Sequence, residues 1–596
     1  MFNLIKKGIY TIKNEGFYIF FLKLIVYLKK IYFNNENKKY IKYIKENKID
    51  KKRKEIIKQK IQSFSYKPLI SIITPVYNID SKILEKTIKS VLDQIYENWE
   101  LCICDDGSSN KKTLKYLKSI ENKDKRIKII YSQKNEGISI ASNKALSLAN
   151  GEFIAFLDHD DTIESNALYE IIKLLNNHPE ADLIYTDEDK INIKDERFDP
   201  FFKPDFSIDL LFSMNYIIHL LVIRRNLVLE VGGFRKKYDG SQDYDLILRI
   251  IEKTNKIFHI PKVLYHWRTV KTSAANSPDA KLYAYNAAKN AIEDYFNRNN
   301  IDVKVGLSDK RGYYFVERKL YHKPLISIII PTKDKVQYLK NCIESIFNKS
   351  IYKNLEIIII DNNSIEIETK NYFDELKKIK NVKIIFYPYE FNFSKINNFG
   401  VYNSNGDILL FLNNDTEVIK NDWLERMLEH ALRKEIGVVG AKLLFPDNTI
   451  QHAGVILGLG GIANHVYYKE KNDTIKYFNM ANLIRNYSAV TFACAMMRKE
   501  VFYEVDGFDE SLPYNYNDLD LCLKIREKGY LIVYTPYVEL IHFESKSRIA
   551  KVEKSEIEYI YKKWKYIIDN DPYYNPNLSR LRSDFGLREK PIPWSP

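Results

Sequence analysis

Short apolar runs alternate with segments of helical periodicity through most of the 596-residue chain. The stretch LEKTIKSVLDQ (84–94) places Leu84, Ile88 and Val91 on one stripe, which predicts an amphipathic helix. The apolar runs, four to six residues long, do not alternate with polar residues, which is typical of strands covered on both faces. Alternation of such strands with helices predicts an α/β fold with a mostly parallel, Rossmann-like sheet.

The whole pattern occurs twice along the chain. KPLISIITPVYN returns as KPLISIIIPTKD, and FIAFLDHDD returns as ILLFLNNDT. Later, GSQDYDLILRI returns as NYNDLDLCLKI, and YHWR has IHFES as its counterpart, which matches His266 with His542. Repeats of this length indicate a duplicated domain, because the units of a solenoid are only about 20–50 residues long.

The repeats divide the chain into four predicted parts. These are a basic helical segment (1–66), a first α/β domain (67–305), a second α/β domain (318–575) and a C-terminal tail (576–596). In sheets of this kind, ligands bind beyond the carboxyl ends of the strands. The polar residues that follow the strands are therefore expected to converge on one cleft in each domain.

Three carboxylates end the strand-like run FIAFLDHDD (153–161), at Asp158, Asp160 and Asp161. A solvated loop is one interpretation. A cluster of carboxylates with no thiols and few histidines nearby also suits a hard divalent cation, Mg²⁺ or Mn²⁺. Such a cation keeps coordination positions open for phosphates, so a nucleotide diphosphate is the expected ligand. Bound there, the cation neutralises charge on a departing phosphate.

The motifs of both copies resemble family 2 glycosyltransferases of the GT-A fold. The first copy carries PVYN, CDDGSS, FLDHDD, GSQDYD and YHWR, and the second carries IIIPT, IDNNS, FLNNDTEV, YNDLDLC and HFES. The likeness is to tandem two-domain transferases of bacterial surface polysaccharide assembly, such as O-antigen or capsule enzymes. It implies hexosyl or deoxyhexosyl transfer from a uridine or thymidine diphosphate sugar (UDP- or dTDP-linked) to a glycan or lipid-linked glycan acceptor.

The resemblance implies a role for each motif of the first copy. Asp158 and Asp160 hold the metal, His266 completes its coordination, and Asp243 is the base on the acceptor hydroxyl. No second carboxylate is evident at a nucleophile position in the sequence, so the expected outcome is single displacement with inversion. The residues implied in nucleotide binding are Pro75, Tyr77, Asp105, Asp106 and Asp158.

The second copy departs from this pattern at two carboxylates, which become the amides Asn362 and Asn413. An amide oxygen still accepts hydrogen bonds but carries no charge. The resemblance implies that Asp415 and His542 are metal ligands and that Asp518 is the base. Its implied nucleotide-binding residues are Pro331, Asp361 and Asn413. We expect this copy to be active with a different donor or linkage; the alternative is a degenerate binding module.

Positive charge is concentrated at the start of the chain. Residues 1–60 hold 17 Lys and Arg against 5 Asp and Glu, which accounts for most of the net charge of +14. A nucleic-acid binder would spread this charge over its binding face, so we expect no nucleic-acid partner. The apolar part of 16–33 is shorter than the roughly 20 residues of a spanning helix. It predicts a peripheral helix on the cytoplasmic face of the inner membrane, or alternatively a helix packed on the protein's own core.

Other features bear on rival functions, on the cellular compartment and on one acidic stretch. Sugar nucleotidyltransferases carry a Gly-rich loop after the first strand. The first strands of the two copies end in PVYNID and PTKDKV, without Gly, which argues against this class. A non-catalytic carbohydrate-binding scaffold would not need both Asp243 and Asp518. The five widely spaced cysteines suit a reducing compartment and not a zinc site. TDEDK (186–190) is open to two interpretations, an acceptor loop or a solvated acidic turn.

Overall fold

The structure, a computed structural model, describes residues 36–121, 123–269, 278–544 and 553–596. The strands are β1 Ile70–Val76, β2 Trp99–Asp105, β3 Ile127–Tyr131, β4 Phe153–Phe156, β5 Thr162–Ile163, β6 Leu183–Ile191, β7 Arg197–Phe201, β8 Leu221–Arg224, β9 Ile257–Arg268, β10 Val303–Leu307, β11 Tyr314–Arg318, β12 Ile326–Thr332, β13 Leu355–Asp361, β14 Val382–Phe386, β15 Ile408–Leu412, β16 Thr416–Val418, β17 Ile436–Leu444, β18 Ile450–His452, β19 Val455–Leu457, β20 Ala463–His465, β21 Arg485–Tyr487, β22 Cys494–Arg498 and β23 Leu531–His542.

The helices alternate with these strands as the sequence pattern predicts. They are α1 Glu36–Asn47, α2 Lys51–Ser63, α3 Ser81–Leu92, α4 Lys111–Ile120, α5 Ile138–Ser147, α6 Ala167–Asn177, α7 Ile208–Ser213, α8 Arg225–Glu230, α9 Gln242–Ile250, α10 Pro278–Arg298, α11 Val336–Lys349, α12 Ile367–Leu376, α13 Phe393–Tyr402, α14 Trp423–Ala431, α15 Lys476–Asn479, α16 Lys499–Glu504, α17 Asn517–Glu527 and α18 Lys554–Asp569.

Two sheets with the same strand order form the centres of the two domains. The first runs β3-β2-β1-β4-β8-β6-β9-β5, and the second runs β14-β13-β12-β15-β22-β17-β23-β16. In each sheet the first four strands are parallel, and the fifth, β8 or β22, is antiparallel to its neighbours. The predicted α/β fold with a duplicated domain is thus confirmed, with sheets that combine parallel and antiparallel pairs.

Helix α3 shows how the apolar pattern becomes a packed layer. Asp80 caps the helix by accepting a hydrogen bond from the Lys82 backbone N–H at 2.8 Å. The predicted stripe of Leu84, Ile88 and Val91 is fully buried. Burial of such side chains stabilises the fold by roughly 1.5–3 kcal/mol each. The helix therefore covers one face of the first sheet.

The basic segment before the first domain is partly built into that domain. Helices α1 and α2 bury Tyr40, Tyr43 and Ile57. The Tyr40 hydroxyl donates to Asp189, and Tyr43 accepts a hydrogen bond from the Val263 backbone N–H. Residues 36–63 therefore belong to the folded body. The apolar stretch at 16–33 lies outside the described residues.

The C-terminal tail packs across the first domain. Leu578 and Phe585 are buried, and the Asn577 side chain donates to the Pro261 carbonyl at 2.8 Å. Asn575 donates to both carboxylate oxygens of Asp187 at 3.0 and 2.9 Å. These contacts join the C-terminal part of the chain to the first domain.

A buried polar contact joins the two domains directly. Arg433 of the second domain donates to Asp209 of the first at 2.5 Å, and Asn486 donates to the same carboxylate at 2.8 Å. Burial opposes ionisation of Asp209, but the charge of Arg433 prevails and lowers its pKa to about 2. The domains are therefore joined by a buried carboxylate that has partners in both.

The acidic stretch TDEDK is part of strand β6, so both predictions for it, an acceptor loop and a solvated turn, are wrong. Asp187 and Asp189 are almost fully buried. Asp187 accepts hydrogen bonds from the Lys203 backbone and the His259 ring. These partners lie far along the sequence, which is why local composition could not reveal the burial.

Over the described part of the chain, no helix is both long and apolar enough to cross a membrane.

Candidate active sites

Each domain has a cleft at the carboxyl ends of its parallel strands. In the first domain Asp105 ends β2, and Asp158 follows β4. Pro75, near the end of β1, accepts a hydrogen bond at its carbonyl oxygen from the His159 ring at 2.9 Å. Tyr77 follows β1 and is 44% exposed. Parallel pairing of β2, β1 and β4 brings these residues to one edge of the sheet.

The carboxylates after β2 are fixed by backbone donors. Asp105 accepts from the Ser108 N–H at 3.1 Å. Asp106 accepts from the Glu136 N–H at 3.0 Å and the Gly137 N–H at 2.9 Å. These bonds hold the implied nucleotide-binding carboxylates in place without neutralising their charge.

The second domain rebuilds this end of the cleft with an amide. Asp361 accepts from the Ser364 N–H at 2.9 Å, as Asp105 does from Ser108. Asn362 donates its side-chain N–H groups to the carbonyls of Tyr387 at 3.2 Å and Tyr389 at 2.8 Å. Its side-chain oxygen is the remaining polar atom, so Asn362 offers an acceptor where the first domain offers a carboxylate.

The first-domain cleft is narrow. A cavity of 50 Å³ is lined by Pro75, Asp158, His219 and Asp243, among others. Burial, together with the neighbouring carboxylates of Asp160 and Asp243, raises the pKa of Asp158 to about 6. The chain thus holds several carboxylates together in a buried site, an arrangement that a cation would stabilise.

The second-domain cleft is wide and contains most of its predicted site residues. Its volume is 570 Å³, and the predicted residues that line it are Pro331, Asn413, Asp415, Asp518 and His542. The His542 Nε2 atom lies 3.1 Å from Asp415 Oδ1 and 3.2 Å from Asn413 Nδ2. Asp361 is 9% exposed and lies one residue before Asn362, which lines the cleft.

Gln451 is a partner of His542 that the sequence did not single out. Its side-chain oxygen lies 2.6 Å from His542 Nδ1 and accepts the N–H of that nitrogen. The other ring nitrogen, Nε2, thereby keeps its lone pair, which accepts a hydrogen bond from the Asn413 side-chain N–H. A partner of this kind fixes the tautomer and orientation of a metal-binding histidine. The adjacent His452 is fully buried and contacts His465 at 2.8 Å.

His266 does not take the place that the sequence predicted. Its Nδ1 atom is 2.5 Å from Asp189, and its Nε2 atom is 3.4 Å from Glu164. Arg197 binds the same two carboxylates. The structure therefore brings His266 into a buried network behind the sheet edge and not to Asp158 and Asp160.

The two predicted bases occupy matching positions. Asp243 and Asp518 lie in the first turns of α9 and α17, where the helix N-terminus favours negative charge. The Asn215 side chain donates to Asp243 at 3.4 Å. Burial nevertheless raises the pKa of both carboxylates above the ordinary value of Asp. A raised pKa strengthens a carboxylate as a proton acceptor.

Both clefts lie in domains that match one family of known sequences. Residues 71–227 and 327–506 each match the family described as Glycosyl transferase family 2. The chain belongs to this family, with two tandem domains of the GT-A fold.

Two curated relatives are longer proteins than this chain. The chain is 42% identical to the "Uncharacterized protein y4gI" of Sinorhizobium fredii, over 87% of this chain and 58% of that protein. It is 35% identical to the "O-antigen biosynthesis protein RfbC" of Myxococcus xanthus, over 89% of this chain and 42% of that protein. The chain thus spans about half the length of these relatives.

Among solved structures, the chain is similar to residues 1–349 of TarS from S. aureus in complex with UDP-GlcNAc. The TM-score is 0.31 and the sequence identity 18%, and the match covers 39% of this chain and 72% of that one.

Proposed function

We propose that the protein is a bifunctional, metal-dependent, inverting glycosyltransferase that extends a surface glycan such as an O-antigen or a capsule polysaccharide. Each domain uses a nucleoside diphosphate sugar, UDP- or dTDP-linked, and transfers the sugar to a glycan or lipid-linked glycan. The observation that carries the proposal is the second-domain cleft, because its wall holds Asp415 and His542 together with Asp518. The similarity to RfbC supports the glycan class.

The residues present fit a hard divalent cation, Mg²⁺ or Mn²⁺. Carboxylate oxygens and a neutral imidazole are ligands that these ions accept. In the second domain Asp415 and His542 would hold the ion, and in the first domain Asp158 and Asp160 would do so. When bound, the cation neutralises charge on the departing nucleoside diphosphate.

The chain's own residues supply the other half of the reaction. Asp243 and Asp518 each take the proton of the acceptor hydroxyl, which then attacks the anomeric carbon from the face opposite the diphosphate. One base and one displacement give inversion at that carbon. Asp106 and Asn362 orient the base of the nucleotide. The open second cleft favours two active domains over a degenerate second copy.

A nucleotide-release assay tests this function. The purified protein is incubated with UDP-, dTDP- and GDP-linked sugars, each with Mn²⁺ or Mg²⁺, and with a lipid-linked glycan acceptor. We expect acceptor-dependent release of UDP or dTDP that requires the metal. The double variant Asp243→Asn/Asp518→Asn is the matched control. Release that persists in this control, or no transfer from any donor, would contradict the proposal.

The basic N-terminal segment would place the enzyme on the cytoplasmic face of the membrane. Because Tyr40 and Ile57 are part of the core, the variant that tests this interaction removes residues 1–35 only. Each Lys or Arg near an anionic surface contributes about 1 kcal/mol. We expect this truncation to weaken binding to phosphatidylserine vesicles and to leave transfer to soluble acceptors intact. Unchanged vesicle binding would exclude this segment as the anchor.

A further inference from the structure

Strand pairing shows that His266 and His542 do not occupy equivalent positions. Thr162 pairs with His266 across β5 and β9, whereas Thr416 pairs with His542 across β16 and β23. Thr416 lies three residues after Asn413, so its equivalent is Asp161, three residues after Asp158. The equivalent of His542 is therefore Trp267, one residue beyond His266.

A second pair of strands gives the same result, because Asp189 on β6 and Leu444 on β17 are at equivalent positions. Asp189 pairs with His266, whereas Leu444 pairs with Ile541, the residue before His542. Side chains alternate between the faces of a strand, so a shift of one residue turns a side chain to the opposite face. His266 accordingly points to Asp189, whereas His542 points to Asp415.

In the first domain a different histidine lies beside the carboxylates. His219 stacks on Tyr265 at 4.3 Å between ring centroids and lies 6.1 Å from the Trp267 ring. It lies just before β8 and lines the same cavity as Asp158 and Asp243. One ligand atom from each of Asp158, Asp161 and His219 can be chosen so that all three lie within 4.8 Å of one another.

The second domain lacks every member of this group. Ala155 pairs with Val222, and its equivalent Leu410 pairs with Met496. His219 lies three residues before Val222, so its equivalent is Ala493, three residues before Met496. The equivalents of Asp158, Asp161 and His219 are thus Asn413, Thr416 and Ala493. Conversely, the first domain has Trp267 where the second has His542.

Hydrogen-bond donors fix the carboxylate of Asp161 beside His219. Asp161 is fully buried and accepts hydrogen bonds from the Tyr265 hydroxyl at 2.5 Å and the Arg268 N–H at 2.7 Å. These donors are the kind of outer partners that orient a ligating carboxylate.

We infer that the first domain binds its divalent cation through Asp158, Asp161 and His219, so that the two domains supply the metal-binding histidine from different strands. In the first domain the imidazole comes from the residues before β8, and in the second it comes from the end of β23. The inference rests on the proposed function. In the first site it replaces the ligands Asp160 and His266 by Asp161 and His219.

Mn²⁺ binding measured by electron paramagnetic resonance, with UDP present, tests the inference. All variants carry Asp415→Asn, so that the signal reports the first domain. We expect His219→Ala to weaken Mn²⁺ binding at least about 10-fold, the lower limit seen for outer-shell partners of metal sites. His266→Gln is the matched control and should keep the affinity. His219→Ala with Trp267→His, which copies the second domain, should recover part of it.

The outcomes separate this inference from the proposed function. The thermal unfolding midpoints of His219→Ala and His219→Gln show whether both variants are folded. If both bind Mn²⁺ as the parent does while Asp158→Ala does not, the assignment of His219 as a ligand is wrong. The metal-dependent function then stands. If Asp158→Ala also binds as the parent does, the first-domain metal site itself is wrong. Loss of binding in His266→Gln alone would return the role to His266.

Discussion

The two domains share a strand order but differ in the shape and chemistry of their clefts. The first is narrow, at 50 Å³, and presents Asp158 and His219. The second is open, at 570 Å³, and presents Asn413 and His542. On the metal sites that we infer, the duplicated domain keeps the place of the cation and changes which strand supplies the histidine ligand.

A common feature remains beneath this difference. Asp243 and Asp518 lie at the start of equivalent helices, and burial raises the pKa of each. The proposed base is thus kept in both domains, whereas the proposed metal ligands and the proposed nucleotide contacts at Asp106 and Asn362 differ. This pattern is consistent with the proposal of two transfers that use different donors.

Replacing the bases should have the largest effect and should separate the two domains. Asp243→Asn keeps shape and hydrogen bonding but cannot take a proton. We expect transfer by the first domain to fall by about 10²–10⁴-fold, with donor binding retained, and the same for Asp518→Asn in the second domain. Calorimetry of donor binding beside a turnover assay measures both quantities. A parallel loss of donor affinity would make these residues binding residues.

Gln451 should matter to the second domain alone. Gln451→Leu removes the acceptor that fixes His542, so Mn²⁺ binding to the second domain should weaken by about 10–100-fold. Gln451→Glu keeps an acceptor at this position and should restore most of the affinity. The first-domain site of the same chain serves as the internal reference. Equal weakening at both sites would show a general loss of structure.

Metal binding to the two domains should respond differently to pH. The pKa of Asp158 is raised to about 6, chiefly by burial. A protonated carboxylate cannot ligate, so Mn²⁺ affinity of the first domain should fall roughly 10-fold per unit below pH 6. Asn413 at the equivalent position has no proton to gain in this range, so the pH dependence of the second site comes from its other ligands alone. Mn²⁺ titrations of Asp415→Asn and Asp158→Ala from pH 5 to 8 measure the two sites. A first-domain affinity that does not fall below pH 6 would contradict the assignment.

Much of the fold was predictable from the sequence because the signals are local. Unpatterned apolar runs identify the strands, and the polar residues that follow them mark the sheet edge. This is how Asp105 and Asp158 could be assigned to a cleft before the structure was known, whereas Asp518 was assigned through the family resemblance. The duplication strengthened each assignment, because the same motifs recur in the same order in the second copy.

The histidines could not be assigned in this way. His266 and His542 each follow an apolar run, but a difference of one residue in strand register places them on opposite faces. His219 belongs to no motif, and its equivalent is Ala493, so the repeat gives no signal for it. Gln451 reaches His542 across 91 residues of sequence. Contacts of this kind are set by tertiary packing.

A complementation measurement tests most directly whether the chain contains two separate active sites. Asp243→Asn and Asp518→Asn are assayed alone and mixed, with both donors and a lipid-linked acceptor, and the products are weighed by mass spectrometry. We predict that each variant alone fails at one transfer and that the mixture makes the full product of the native protein. Loss of both transfers in either single variant, with no recovery on mixing, would contradict the account.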